Sequence, residues 1–164
     1  MSLARASQLR MSLLDRLIDD APDLSIDPPR SRSQELRAVR ESFRRDIEAI
    51  LNTRRRCRSP PAALRALRRA LPNFGVADLV GMSLATHQQR VELVRSLEET
   101  IRMLEPRFRS VALSLVAGRD PLDRALRIRI EAVTQLQQSN EPIVLETTLD
   151  PATRTFSVTE RDDV

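Results

Sequence analysis

Between residues 91 and 118 the spacing of apolar positions changes period. Val94, Leu97, Ile101 and Leu104 recur at intervals of three and four, with Leu93 beside them, while Arg95, Glu98, Glu99 and Arg102 take the opposite side. That is one apolar face of a helix. From residue 110 the period is two: Val111, Leu113 and Leu115 point one way and Ser110, Ala112 and Ser114 the other, as in a strand. Glu105-Pro106-Arg107 stands at the join. Proline disfavours a helical residue before it and lacks a backbone donor, so the helix is expected to stop at Glu105. Gly118 and Asp120-Pro121 close the strand.

The rest of the pattern builds around this stretch. Ser31 and Gln34 form an S-x-x-Q capping box. It opens an expected helix over 34–55 whose inner face is Leu36, Val39, Phe43, Ile47, Ile50 and Leu51. Leu64, Leu67 and Leu71 predict a short helix over 62–71 after the Ser59-Pro60-Pro61 break. Residues 72–75 read as a turn, and 76–84 as a loop with a helical turn. Alternation returns at Leu126, Ile128, Ile130 and Ala132, with Arg127, Arg129 and Glu131 opposed. Ser139-Asn140-Glu141-Pro142 turns the chain into a third strand marked by Ile143, Leu145, Thr147 and Leu149. A hairpin loop over 150–154 leads to a short last strand with Phe156 and Val158. Short connections imply an antiparallel meander with one covered face. The fold class is α+β: N-terminal helices packed on one face of a small, mainly antiparallel four-stranded sheet.

Residues 1–33 read as an extension, and 34–164 as a single domain. Ser12-Leu13-Leu14-Asp15 has the outline of a capping box, and Leu13, Leu14, Leu17 and Ile18 make a short apolar stripe ended by Pro22. One or two turns do not stand alone in water, so this piece must dock on its own domain or on a partner. Ile26-Asp27-Pro28-Pro29-Arg30 is an extended linker.

Composition narrows the function. Of 164 residues, 41% are hydrophobic and 30% charged, so part of the chain is expected outside the core. All 27 basic residues are arginine and the net charge is only +4; the high isoelectric point reflects the lack of lysine and tyrosine rather than a large excess of cations. Arginine suits bidentate pairing with carboxylates at interfaces. With four Phe, no Tyr and no Trp there are few stacking platforms for single-stranded nucleic acid, and no nucleic-acid partner is expected. The run Arg54, Arg55, Arg56, Arg58 is most simply a solvated helix end. Cys57 stands alone and excludes an internal disulfide, no segment spans a membrane, and no secretory signal opens the chain, so a cytoplasmic protein without membrane insertion is expected.

No catalytic motif appears, and no cofactor or metal is expected; His87 has no second ligand at metal spacing. Glycoside hydrolysis needs two carboxylates, and Glu98, Glu99, Glu105 and Asp78 are the candidates. Arginine neighbours would keep them ionised, whereas a general acid needs a raised pKa. Glu105 is the odd residue: a carboxylate in a last helical turn opposes the helix dipole and calls for a cation. That cation is Arg107, another arginine of the chain, or one on a second protein. An internal salt bridge fixing the corner is the plainer reading.

Five blocks in order resemble one family: SLLDRL at 12–17, FRRDIEAILNTR at 43–54, NFGVAD at 73–78, the run from Ile101 through Glu105-Pro106-Arg107, and IRIEA at 128–132 with LDPAT at 149–153. The chain resembles TssE, the lysozyme-like baseplate subunit of the bacterial type VI secretion system, related to a wedge protein of contractile phage tails. Phe74 and Ala77 replace the family's usual tyrosine and proline, and Arg154 stands where a glycine is common. The resemblance implies a structural, non-enzymatic component of a contractile injection machine. It would sit in a cytoplasmic, membrane-docked baseplate with TssF and TssG wedge proteins, and join that wedge to the TssB/TssC sheath and seed its assembly. It makes Glu105, Pro106 and Arg107 contacts to the wedge core, and Leu13, Leu14 and Leu17 a second partner segment. The last strand over 155–159 is expected to be the edge for sheath pairing, with Phe156 and Val158 facing the helices and Ser157 outward; proline at Ser157 or Thr159, whichever has its N–H directed outward, is expected to block it. A same-fold adaptor for a regulatory protein is the alternative, with a peptidoglycan hydrolase behind it.

Overall fold

A computed structural model describes residues 13–18, 22–24, 31–58, 61, 63–79, 82–117, 125–134 and 143–160. Ser12, the 26–30 linker, Ser59-Pro60, Gly118 with Asp120-Pro121, and Ser139 to Pro142 lie outside them. Helices α1 (Leu13–Leu17), α2 (Arg32–Asn52) and α3 (His87–Leu104) precede strands β1 (Phe108–Val116), β2 (Leu126–Thr134), β3 (Ile143–Leu149) and β4 (Phe156–Glu160). The strands pair antiparallel in sequence order, giving the expected meander and the α+β class.

Both long helices start where side chains satisfy their orphan donors. Ser31 caps α2 by accepting from the Gln34 N–H, and Gln34 returns the bond to the Ser31 N–H. Thr86 and Gln89 do the same for α3, a second capping box of the T-x-x-Q form. The α2 helix ends at Asn52, three residues before the expected Arg55, because Thr53 turns extended and Arg54 forms a parallel bridge with Val76.

One face of the sheet supplies Val111, Ile128, Ile130, Ala132, Ile143, Leu145, Leu149, Phe156 and Val158 to the core. Val39, Phe43, Ile47 and Leu51 of α2 and Leu93, Val94, Leu97 and Ile101 of α3 complete it. Each of these side chains except Ala132 contributes about 1.5 to 3 kcal/mol by leaving water. The α3 helix packs chiefly on β1 and α2 on β4, so each helix lies over one edge of the sheet. The opposite face carries Arg127, Arg129, Glu131 and Glu146, with Arg129 and Glu146 3.7 Å apart.

The expected helix over 62–71 is replaced by two 3-10 segments, Arg65–Arg69 and Leu71–Asn73. Ten residues between prolines barely exceed the cost of helix nucleation, and Leu64 and Leu71 find no surface to cover, Leu71 staying 86% exposed. The following turn is tighter than its sequence suggests. Gly75 has φ +97°, and a Cβ there would lie 2.3 Å from the Thr53 carbonyl oxygen. This close approach lets Val76 donate to Thr53 O (2.9 Å) and Arg55 to Val76 O (2.8 Å).

Arg154 also adopts a left-handed conformation, φ +57°, in the β3–β4 hairpin. This gives a physical reason for the glycine common at that position in the resembled family. Arg154→Gly is expected to leave stability within about 1 kcal/mol of the parent and on its favourable side, since relieved strain slightly outweighs the added freedom of the unfolded chain. A urea titration checks this; a loss above that value would mean that the Arg154 side chain contributes more than the relieved strain.

Candidate functional site

The helix-to-strand corner is the most tightly bonded polar feature among the described residues. Glu105 is the C-cap of α3, its N–H bonded to Ile101 O at 2.8 Å, and it is only 5% exposed. Its Oε1 accepts from the Arg107 N–H (3.2 Å) and Nε (2.7 Å), and its Oε2 from Arg107 Nη2 (2.5 Å). The same Nη2 reaches Asp46 on α2. The guanidinium lies 4.4 Å above the centre of the Phe43 ring, which stands 4.8 Å from that of Phe108. Burial disfavours the Arg107 charge, but Glu105 and then Asp46 outweigh it by hydrogen bonding and attraction, so its pKa rises above the ordinary arginine value.

The cation that Glu105 calls for is therefore Arg107 of its own chain. Pro106 lets the two side chains fold back on each other by ending α3 at Leu104, with Glu105 as its cap and the chain turning at Pro106-Arg107. One guanidinium, paired with two carboxylates, thus joins α2, α3 and β1, and a cation–π contact backs it. The corner presents to solvent Pro106 and the fifth of the Arg107 side chain that stays exposed, followed by Arg109 and Ser110. Sequence reasoning found Glu105, Pro106 and Arg107 but not Asp46 or Phe43, which lie some sixty residues earlier on another element.

On β4 the Phe156 and Val158 side chains are buried against the helices and Ser157 and Thr159 face out, as the alternation predicts, so the first two offer no side-chain contact to a partner. The backbone of this edge differs from expectation. Three of the four outward backbone groups of Phe156 and Val158 are taken. Asn52 accepts from the Phe156 N–H (2.9 Å) and donates to its carbonyl (2.8 Å), filling the place of a neighbouring strand. Arg44 donates to Val158 O at 3.3 Å. Alternation then turns the N–H groups of Ser157 and Thr159 toward β3. Proline at either would break the sheet rather than close an outer edge, and this corrects the test expected above.

At the other edge, Glu98 Oε2 accepts from the Leu113 N–H (3.1 Å) and Arg102 Nη2 donates to Val111 O (3.2 Å). The two side chains are themselves paired at 2.6 Å. Further along β1 the edge meets a shallow groove of about 460 Å³ lined by His87, Val91, Val94, Arg95, Glu98, Leu113 and Leu115.

The N-terminal segment docks through a residue that the apolar stripe did not mark. Asp15 accepts from Ser42 Oγ and from Arg45 Nη2, both at 2.5 Å, and its side chain is 5% exposed. Leu14 and Leu17 of α1 are 64% and 73% exposed. The Leu13 side chain lies outside the described residues.

Of the candidate acids, Glu98 is held by Arg102 and the β1 backbone and Glu105 by Arg107, while Glu99 is exposed on α3 and Asp78 in the loop after the Gly75 turn. No group of three or more metal-ligating side chains gathers among the described residues. No helix among them is long and apolar enough to cross a membrane. Residues 37–139 match the family model described as baseplate wedge protein gp25. The match runs from α2 through β2 and contains the corner whole. No curated protein matches the chain.

Proposed function

Since the chain belongs to the baseplate wedge protein gp25 family, matched over more than half its length, we propose that it is the TssE-like subunit of a type VI secretion baseplate. It acts by holding other proteins, not by catalysis. The single observation that carries this reading is the Glu105–Arg107–Asp46 corner, which spends its charges inside the chain and presents a rigid surface made of Pro106 and the rim of Arg107. Such pre-organised surfaces bind at low entropic cost. Its partners in this role are the TssF and TssG wedge proteins, and the sheet edge meets the TssB/TssC sheath. Of the two edges, β1 is the better fitted to a sheath strand, since α2 side chains occupy the backbone of Phe156 and Val158 on β4. The corner is buried in a wedge at the cytoplasmic side of the membrane.

The exposed Leu14 and Leu17 support a second contact to the wedge, with Asp15 fixing the segment that carries them. The 31–164 fragment is expected to keep one cooperative melt. It loses about 2 kcal/mol, the worth of a hydrogen-bonded charge, and binds the wedge more weakly. Thermal melting and co-purification check this; an insoluble or molten fragment would make the segment part of the core.

Co-expression with TssF and TssG tests the reading. A complex of all three on gel filtration is expected, and elution of the chain apart from a formed TssF–TssG complex contradicts it. A turbidity assay on peptidoglycan separates the hydrolase alternative; clearing at enzyme-like rates would favour that instead.

A further inference from the structure

We infer that the Glu98–Arg102 pair is a latch over the β1 edge, closed in the free subunit and displaced when an extended strand of a partner chain pairs there; this rests on the sheath-docking reading above. In a sheet edge every second residue directs its N–H and C=O outward. On β1 those residues are Val111, Leu113 and Leu115, because the outward groups of the first two are the ones α3 side chains reach. Glu98 takes the Leu113 donor and Arg102 the Val111 acceptor, so the pair reproduces two bonds of an absent neighbour.

The same two side chains bind each other across one helical turn, which holds both in register with the strand. Among the described residues nothing pairs with the outward groups of Leu115. Beside it lies the groove floored by Val91, Val94, Leu113 and Leu115, with Arg95 at its rim. The edge is thus partly covered at Val111 and Leu113 and open at Leu115. An entering strand would begin at Leu115, seat an apolar side chain in the groove and set a carboxylate on Arg95. It would then replace Glu98 at Leu113. A helix fits this site poorly, because it would leave the Leu115 groups unpaired.

Edge strands left open invite pairing with any other edge, including that of a second copy. The β4 edge is closed by Asn52 with two bonds from one rigid amide, whereas the β1 closure rests on long charged side chains that stay partly exposed, Arg102 at 59%. The β1 latch is the one built to open.

The experiment uses the full chain with Glu98→Ala, Glu98→Gln and Glu98→Ala/Leu115→Pro, titrated against purified TssB–TssC sheath subunits. Glu98→Ala is expected to bind about ten-fold tighter than the parent, the equivalent of one net hydrogen bond no longer displaced. Glu98→Gln, which keeps an acceptor for Leu113, should fall between them, and the double variant should lose the gain. Unchanged affinity in a folded Glu98→Ala protein overturns the latch. Hydrogen exchange at the Leu113 amide is read on the same samples. If no protein binds sheath while all still join the wedge, the docking reading fails. The latch is then judged by exchange alone, about ten-fold faster in Glu98→Ala if it exists and unchanged if it does not.

Discussion

Arg107→Ala should cost about 3 to 5 kcal/mol of stability, the usual loss when one partner of a buried ion pair is removed. The variant leaves Glu105 buried without its cation, strips Asp46 of the same guanidinium and removes the group stacked on Phe43. Nothing else among the described residues is placed to pair with Glu105. The loss belongs mainly to the abandoned charge, so removing both charges should restore most of it. Glu105→Leu with Arg107→Met is expected to be within about 1 to 2 kcal/mol of the parent, since apolar replacements of similar volume are often tolerated where single deletions are not. Urea titration of the two variants decides it. An Arg107→Ala protein that loses under about 1 kcal/mol would mean that the pair behaves as a solvated surface bridge.

Gly75→Ala should be nearly as damaging, at about 3 to 5 kcal/mol, by a different route: roughly 1 to 3 for a non-glycine residue held in a sparsely populated conformation, and about 1 for each hydrogen bond that opens. The new Cβ meets the Thr53 backbone, which cannot turn aside as a side chain would. The Arg54–Val76 bridge must therefore separate, and Val76 moves out of the core. Thermal melts of Gly75→Ala beside Ala77→Gly, a neighbouring change at a residue outside the bridge, separate backbone strain from general loop sensitivity. Equal, small losses in both would remove the close-approach argument.

The periodicities of the chain were enough for the helices, the strands and the meander, because each element buries one face and the burial writes itself into the spacing. Pro106 marked the end of α3 without any tertiary knowledge. The 62–71 segment misled for the same physical reason in reverse. Leu64, Leu67 and Leu71 have helical spacing, but spacing says nothing about whether a surface exists to receive them, and Leu64 and Leu71 remain outside. Long-range polar partners were equally hidden. Glu98 and Arg102 read as the polar side of their helix, and Asp46 and Asn52 lie off the apolar stripe of theirs, yet each reaches another element. Asp15 looked like an imperfect cap and turned out to be the anchor of its segment. The Glu105 conflict with the helix dipole was visible and correctly demanded a cation, though the sequence could not choose between Arg107 and a second protein.

That choice changes how the corner has to be tested. Glu105→Arg would place two guanidinium groups where one ion pair now stands, so a failure to assemble would follow from unfolding alone. Pro106 is exposed and supplies no side-chain polar group to the network, which makes Pro106→Glu the cleaner probe. The deciding measurement is recovery of TssF and TssG with this variant, taken beside its melting temperature. The account predicts a melt close to the parent's and loss of the wedge complex. Full recovery of the complex by a folded Pro106→Glu protein would contradict it.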